Sequence, residues 1–473
     1  MNANLFEELS SLRGLTRPID VIRTRSQTHC HMSKRIHIAT YGCQMNEYES
    51  DRTFRLFHDK EGYEWTHDPT KADLVLYNTC SIRDKADQKA FSAIGLLRST
   101  KLTRPEMVIA VGGCMAQMQG KEIQKKFPYV DLVFGTHQWN HLPELVRKVQ
   151  VEKEKILEID LYGWKNYNFL PYRQSVASHP ISEFVTIQNG CNKFCTFCLV
   201  PFTRGREMSR SPKEIMEEVH ELANMGVREV MLLGQNVNAY GKDQRFDLSF
   251  TDLLKKVCEI NGLERLRFMT SHPAELTFEM IDVMADQEKI CEHLHLPLQS
   301  GSDMILQKMN RGYDMAQYRK IVQYLRKKIP TLSLTTDLIV AFPGETEENF
   351  ERTLDAIREF EFEDSFSFCY SPRPHTKAAQ WTEAFNPPEV CNERLSRLQK
   401  LQNEIRDRKN QAWVGKEVQV LVEGEAKKGE GMLTGKNREN VAVNFLGTKD
   451  WIGKLIDVKI TKALPHSLLG ATL

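Results

Sequence analysis

With 473 residues, 41% of them hydrophobic and 27% charged, the chain is long enough for about three domains that each bury a core without disulfides. No apolar run approaches the length needed to cross a bilayer, and a formal net charge of +1 leaves no global footprint for nucleic acid, so any such binding rests on local patches. The first residues, MNANLFEELSSLRGL, are acidic where a secretory leader is basic, and 11 cysteines then point to free thiols and metal ligands in a reducing, cytoplasmic setting.

Residues 1–33 show no period and read as an extension. From 34 to 150 the apolar runs RIHIAT, ADLVLYNTC, MVIAVGGC and VDLVFG alternate with helical patterns such as KADQKAFSAIGLLRS. Strands alternating with helices predict a doubly wound parallel sheet covered on both faces. Cys43, Cys80 and Cys114 each follow an apolar run, and in an open α/β sheet ligands collect beyond the carboxyl ends of the strands. Three strands can therefore deliver three thiols to one place.

Residues 151–176 form an aromatic, turn-rich connector, and from 177 to 409 the alternation resumes. EFVTIQNG, REVMLLGQ, RLRFMTS, EHLHLPLQS, SLTTDLIVAF and DSFSFCYS, separated by helical patterns, predict an incomplete parallel barrel of six strand-helix steps. Ser211 with Glu214 fits a capping box, and Pro212 fits the first position of a connecting helix. Polar residues gather at the carboxyl ends of these strands: Gln188 and Asn189, Gln235 and Asn236, Ser271 and His272, Gln299 and Ser300, Asp337, and Ser371. Any one of them serves equally well as a strand cap or turn former; the repetition at one end is what points to a site. FPGETEENF reads as a turn and helix start built on Pro343, Gly344 and Thr346.

From 410 to 473 the texture becomes short alternating strands, VGKEVQVLVEGE, GMLTGK, ENVAVNF and KLIDVKITKA, which predict a small closed or nearly closed β barrel tethered beside the reaction domain. Nine Lys or Arg face seven Asp or Glu from residue 412 onward, a weak excess that fits RNA or a merely solvated face. GEGMLTGKN has the wrong glycine spacing for a phosphate loop and places Asn437 where Ser or Thr is required, so it reads as a hairpin turn.

The densest chemical signal is QNGCNKFCTFC, with Cys191, Cys195 and Cys198 inside eight positions. Structural zinc needs four ligands, and neither His179 nor His220 fits a zinc-finger spacing. A disulfide disagrees with the compartment, and inert core thiols rarely bunch in a turn-rich loop. What remains is an iron-sulfur cluster held by three thiolates with one iron open, able both to donate an electron and to bind a substrate. Arg204 and Arg206 lie just past the loop, where a guanidinium suits an RNA phosphate, a cofactor carboxylate or a surface salt bridge. Cys30, Cys258, Cys291, Cys369 and Cys391 fit no cluster position and read as core or incidental thiols.

The spacing C-x3-C-x2-C after a barrel's first strand resembles the motif of the radical S-adenosylmethionine enzymes. Together with TYGCQMNEYESD, VGGCMAQ, the trio Cys43, Cys80 and Cys114, and FCLVPFTRGRE, the chain from about residue 34 resembles the radical-SAM methylthiotransferase family, most closely the branch that modifies N6-dimethylallyladenosine beside the tRNA anticodon. The resemblance implies two 4Fe-4S clusters, one on each trio, and two molecules of S-adenosylmethionine per turnover. It also implies a radical-generating site in which Gln235, Asn236, Gln299, Ser300, Asp337 and Arg204 contact the cofactor, and a C-terminal TRAM barrel that binds RNA. The implied partners are a tRNA anticodon stem-loop and a small electron donor such as flavodoxin or ferredoxin, with a monomeric chain, no membrane and the sulfur source open. Threonylcarbamoyladenosine in tRNA and an aspartate of a small-subunit ribosomal protein are the alternative substrates. A non-catalytic iron-sulfur RNA-binding protein is the alternative of another class.

Overall fold

The computed structural model describes residues 33–81, 84–161, 167–171 and 180–473, so the N-terminal extension, Cys30, His179 and much of the connector lie outside the described residues. The chain gathers into two compact units: one runs to residue 178 and takes in 199–205, and the other holds 179–198 and 206–473.

In the first unit the predicted strands are β1 (Arg35–Tyr41), β3 (Leu74–Thr79), β4 (Val108–Gly113) and β5 (Leu132–Phe134), with β2 (Glu64–Trp65) and β6 (Ile156–Glu158) at the edges. All pair in parallel in the order β2-β1-β3-β4-β5-β6, the doubly wound arrangement the alternation implied. Every residue of β3 and β4 is buried, as expected of central strands covered on both faces, and Val75, Tyr77, Ile109, Val111 and Met115 build the core between sheet and helices. The edge strands, two and three residues long, are too short to carry a readable period. Residues 199–205 join this unit: the Thr136 hydroxyl donates to the Thr203 carbonyl, and His137 Nε2 meets the Arg204 carbonyl at 3.0 Å.

The second unit carries six parallel strands in two sheets. β7 (Ser182–Thr186), β10 (Glu229–Leu233) and β11 (Arg265–Phe268) form one, and β12 (His293–His295), β13 (Ser333–Val340) and β14 (Asp364–Cys369) the other. A parallel bridge from Leu266 to Ile290 joins them, so the strands follow chain order around a six-step open barrel. The predicted first strand breaks after Thr186. Its end, β8 (Gln188–Asn189), pairs antiparallel with β9 (Met208–Ser209) and pinches the base of the cysteine loop. Helix Pro212–Asn224 begins with Pro212 as expected, but Ser211 makes no side-chain cap, because Glu214 is drawn 3.4 Å from Arg210 Nε instead.

Helix Pro388–Gln411 leads to β15 (Glu417–Glu425), β16 (Met432–Lys436), β17 (Ala442–Leu446), β18 (Leu455–Leu464) and β19 (Ser467–Thr472), which close in the order β15-β16-β17-β19-β18 around Val420, Val422, Val443, Phe445 and Val458. Closure removes the exposed edges that strands this short would otherwise present. The small barrel is docked on the larger one and not merely tethered. Arg265 donates to the carbonyls of Lys436 (2.7 Å) and Gln419 (2.9 Å), and Arg267 to those of Arg438 and Asn437 (both 2.7 Å). Arg438 returns the contact by pairing with Glu292 at 2.7 Å. The GKN turn is thus a docking hairpin, set against the amino ends of barrel strands, the face of such folds that serves stability. Arg267 is fully buried and also paired with Glu229 at 3.0 Å, so Arg267→Ala strands a carboxylate and two carbonyls. The expected cost is about 3–5 kcal/mol, read as a lower denaturant midpoint. An unchanged midpoint would show that the docking contributes nothing.

Candidate metal centres and cofactor pocket

The first trio is assembled by strand register. Thr79 at the end of β3 pairs with Tyr41 of β1 on one side and Gly113 of β4 on the other, so Cys80 and Cys114 leave the sheet at one level and Cys43 follows two residues past Tyr41. Sheet order also makes the gap between β1 and β3 the topological switch point, where loops diverge and leave a crevice. Cys43 caps helix Gln44–Glu61, and Cys114 is the first residue of helix Cys114–Lys126. Two of the three sulfurs therefore stand at helix N-termini, where the peptide dipoles favour thiolate.

Polar side chains knit the crevice floor. Asn46 Oδ1 accepts from the Cys43 amide (3.1 Å) and thiol (3.4 Å), while its Nδ2 donates to Asn78 Oδ1 at 2.7 Å. Asn78 in turn donates to the Asn46 carbonyl at 2.8 Å and Ser50 Oγ at 3.1 Å. Arg204 is buried here, its Nη1 2.7 Å from Glu49 Oε1. The Cys43 thiol is brought down to about 6, first by a hydrogen bond with the Cys80 thiol and then, against desolvation, by the Arg204 charge and the Asn46 contact. Burial pushes the Cys114 thiol up.

Gly113 is what lets β4 turn so sharply into its cysteine. Its φ is +96°, and a Cβ there would lie 2.3 Å from the Thr79 carbonyl and 2.8 Å from Asn78 Oδ1. Gly113→Ala is expected to lose roughly 2–6 kcal/mol through backbone strain and overpacking, and with it the metal site. Denaturant unfolding with an iron assay checks this, and a variant of parental stability and iron content would contradict it.

The second trio sits on the loop pinched by β8 and β9. Thr196 anchors it, its amide donating to the Met309 carbonyl (3.0 Å) and its hydroxyl to that of Lys308 (2.9 Å), while Phe197 packs against Phe342. Asn310 Nδ2 donates to the Lys193 and Phe194 carbonyls at 3.3 and 3.1 Å. Cys195 is buried, with Cys191 and Cys198 half-buried. Among the described residues no three His, Cys, Asp or Glu side chains are arranged to hold a single metal ion.

Beyond the loop the barrel's strand ends carry strain and unmet polar groups. Phe194, Thr270, Gln299 and Ala341 all have φ between +49° and +71°, a region costly for residues with a Cβ and concentrated at functional sites. Both side-chain polar atoms of Asn236, Ser271 Oγ, His272 Nε2 and Gln299 Oε1 are buried without a hydrogen-bond partner among the described residues. Burial, with the charges of Arg311 and Lys193, holds His272 neutral, its pKa lowered to about 2. Such orphaned donors and acceptors fit a polar amino-acid-bearing ligand.

The expected cofactor residues divide accordingly. Asn236 and Gln299 present open polar atoms. Gln235 instead accepts the Gly190 amide at 2.5 Å and shapes the cysteine loop, and Asp337 lies 3.4 Å from His295 Nε2. Ser300 accepts the Ser302 amide at 3.2 Å and meets Thr353 Oγ1 at 3.4 Å. Arg204 pairs with Glu49 within the first unit, which takes in residues 199–205. Thr346 begins helix Glu347–Phe360 in a capping box with Asn349, as FPGETEENF implied. Sequence reasoning missed Lys193 and Lys242, which both donate to Glu275, and Glu207, whose carboxyl burial and Asp243 push up to about 7. It also missed Arg311, for which the sequence carries no signal beyond an arginine before a glycine turn.

An open six-strand barrel whose first strand-end loop carries C-x3-C-x2-C defines a radical-SAM domain, and residues 185–357 match the Radical SAM superfamily. Residues 35–135 match the Uncharacterized protein family UPF0004, and 411–473 the TRAM domain. Among relatives, the chain is 45% identical over 435 residues to the tRNA-2-methylthio-N(6)-dimethylallyladenosine synthase of Clostridium botulinum (strain Loch Maree / Type A3), across 92% of this chain and 96% of the relative. It is 43% identical over 453 residues to the protein of that name from Clostridium beijerinckii, across 95% and 98%. The chain belongs to the tRNA-2-methylthio-N6-dimethylallyladenosine synthase family of radical-SAM methylthiotransferases. Among solved structures, the radical S-adenosylmethionine methyltransferase TsrM from Kitasatospora setae aligns with a TM-score of 0.57 at 15% identity, covering 73% of this chain and 75% of that one, a likeness of fold alone. No helix among the described residues is long and apolar enough to cross a membrane.

Proposed function

We propose that this chain inserts sulfur and a methyl group into N6-dimethylallyladenosine next to the tRNA anticodon, giving the 2-methylthio derivative. The observation that carries the reading is the placement of two cysteine trios past the carboxyl ends of parallel strands, one in each compact unit. The relatives' names supply the substrate.

Cys191, Cys195 and Cys198 would hold one 4Fe-4S cluster, and Cys43, Cys80 and Cys114 a second. When bound, the first cluster with S-adenosylmethionine supplies one electron and a carbon radical able to take hydrogen from an unactivated C–H bond, the second carries the sulfur to be transferred, and a second S-adenosylmethionine supplies the methyl group. The chain's own residues position and exclude. Asn236, Ser271, His272 and Gln299 turn buried, unpartnered polar atoms toward a ligand's amino, carboxylate and hydroxyl groups. Lys193 and Lys242 meet on the carboxylate of Glu275, with Glu207 and Asp243 beside them, a charged cluster that holds the cysteine loop in place. Arg204, balanced by Glu49, keeps a cation among the first unit's thiols, and Gly113 lets β4 deliver Cys114. The small C-terminal barrel would hold the anticodon stem-loop by its backbone, with positions fixed by the docking arginines. A monomer served in the cytoplasm by flavodoxin or ferredoxin completes the reading, with the sulfur donor open.

Anaerobic reconstitution tests it. The protein should bind about eight irons per chain, and with a reductant and S-adenosylmethionine it should convert an anticodon stem-loop bearing dimethylallyladenosine to the methylthio product. Conversion only of a threonylcarbamoyladenosine RNA, or of the ribosomal protein, would move the chain to another branch; two clusters without S-adenosylmethionine cleavage would make it a non-catalytic carrier.

A further inference from the structure

Arg311 is buried, with 6% of its surface exposed, behind the radical-SAM cysteine loop. Its Nη1 donates to Cys195 Sγ at 3.3 Å, its Nη2 to the Pro297 carbonyl at 3.0 Å and its Nε to the Tyr313 hydroxyl at 3.3 Å. Tyr313 is itself fixed by donating to the Leu298 carbonyl at 2.6 Å. The guanidinium therefore has a single orientation. Among the described residues no carboxylate pairs with it, whereas Arg204, Arg210, Arg267 and Arg394, also buried, have Glu49, Glu218, Glu229 and Glu345; buried Arg265 is met by two carbonyls instead.

A buried cation without an anion costs several kcal/mol, and proteins rarely carry one unless something charged arrives. Among the described residues its side-chain partners are the Tyr313 hydroxyl and the Cys195 sulfur, and of these the sulfur is the one that a bound metal would hold as an anion. Three thiolates around an oxidised four-iron core leave a net negative charge, and one-electron reduction adds another. We infer that Arg311 is a positioning residue whose fixed N–H and positive charge are the counter-ion of the radical-SAM cluster, orienting Cys195 and raising the cluster's reduction potential. The inference rests on the reading of Cys191, Cys195 and Cys198 as cluster ligands. Physically, a cation beside the cluster stabilises the reduced form more than the oxidised one, because the reduced form carries the larger negative charge.

The test uses full-length protein in which Cys43, Cys80 and Cys114 are Ala, so that one cluster remains. In that background Arg311 is compared with Arg311→Met, of similar volume and no charge, and Arg311→Lys, which keeps the charge and loses the fork. Iron content, the cluster's electron paramagnetic resonance signal and its midpoint potential are measured with the unfolding midpoint. Arg311→Met should shift the potential negative enough to reduce the equilibrium fraction of reduced cluster about tenfold, which for one electron is about 59 mV, while Arg311→Lys should fall between the two. If Arg311→Met fails to fold or load iron, a lowered potential in Arg311→Lys, with altered g values, still supports the inference. A loaded Arg311→Met at the parental potential, or a loaded Arg311→Lys at the parental potential with parental g values, overturns it. Absence of any cluster from the Arg311 parent would sink the reading of the trio and, with it, the role of Arg311, an outcome distinct from a loaded variant at the parental potential.

Discussion

Replacing Cys191, Cys195 and Cys198 together by Ala is expected to halve the iron, from about eight to about four per chain, and to bring cleavage of S-adenosylmethionine below detection. The expectation follows from how the loop is held. Thr196, Phe197 and Asn310 fix its backbone without using the thiols, and β8 pairs with β9 at its base, so the variant keeps the loop and loses only the ligands. Stability should fall somewhat, since Cys195 gives up a buried contact with Arg311, while the loop's own anchors remain. The proposed cluster on the first unit, whose thiols follow β1, β3 and β4, should remain. Iron assay, absorbance and chromatography of 5'-deoxyadenosine read the three consequences, and a variant that still forms 5'-deoxyadenosine would refute the assignment.

The converse replacement, Cys43, Cys80 and Cys114 by Ala, is expected to abolish methylthiolated product yet leave cleavage of S-adenosylmethionine measurable. In the proposed reading radical generation needs only the loop of the second unit, whereas the sulfur that ends on the product needs a cluster on the first trio. The first unit should still fold, because its sheet is held by strand pairing and by the Asn46, Asn78 and Ser50 bonds. Product formation at the parental rate would show that the first trio is structural, and loss of cleavage as well would show that the two sites are not separable.

The sequence made Cys43, Cys80 and Cys114 stand out because each lies just past an apolar run, and Cys191, Cys195 and Cys198 because of their close spacing in one loop. Central strands such as β3 and β4, buried on both faces, announce themselves; β2 and β6 do not, being set by neighbours and not by pattern. Proximity in sequence does not choose partners in space. Arg204 stands six residues past Cys198, yet residues 199–205 belong to the first unit and the guanidinium finds Glu49. The expected Ser211 cap is absent, and Glu214 meets Arg210. Arg311 was invisible because its meaning lies in what it lacks, a carboxylate partner, which only the packed structure displays. The docking role of the GKN turn was hidden likewise, since it depends on backbone carbonyls that any residues would supply.

The most direct measurement of the central claim is mass spectrometry of tRNA nucleosides from cells with this chain and from cells in which it is deleted. The account predicts that 2-methylthio-N6-dimethylallyladenosine disappears on deletion and unmodified N6-dimethylallyladenosine rises in its place, with restoration by the parental chain but not by variants lacking either cysteine trio. An unchanged level of the methylthio nucleoside in the deleted cells, or loss confined to methylthiolated threonylcarbamoyladenosine, would contradict it.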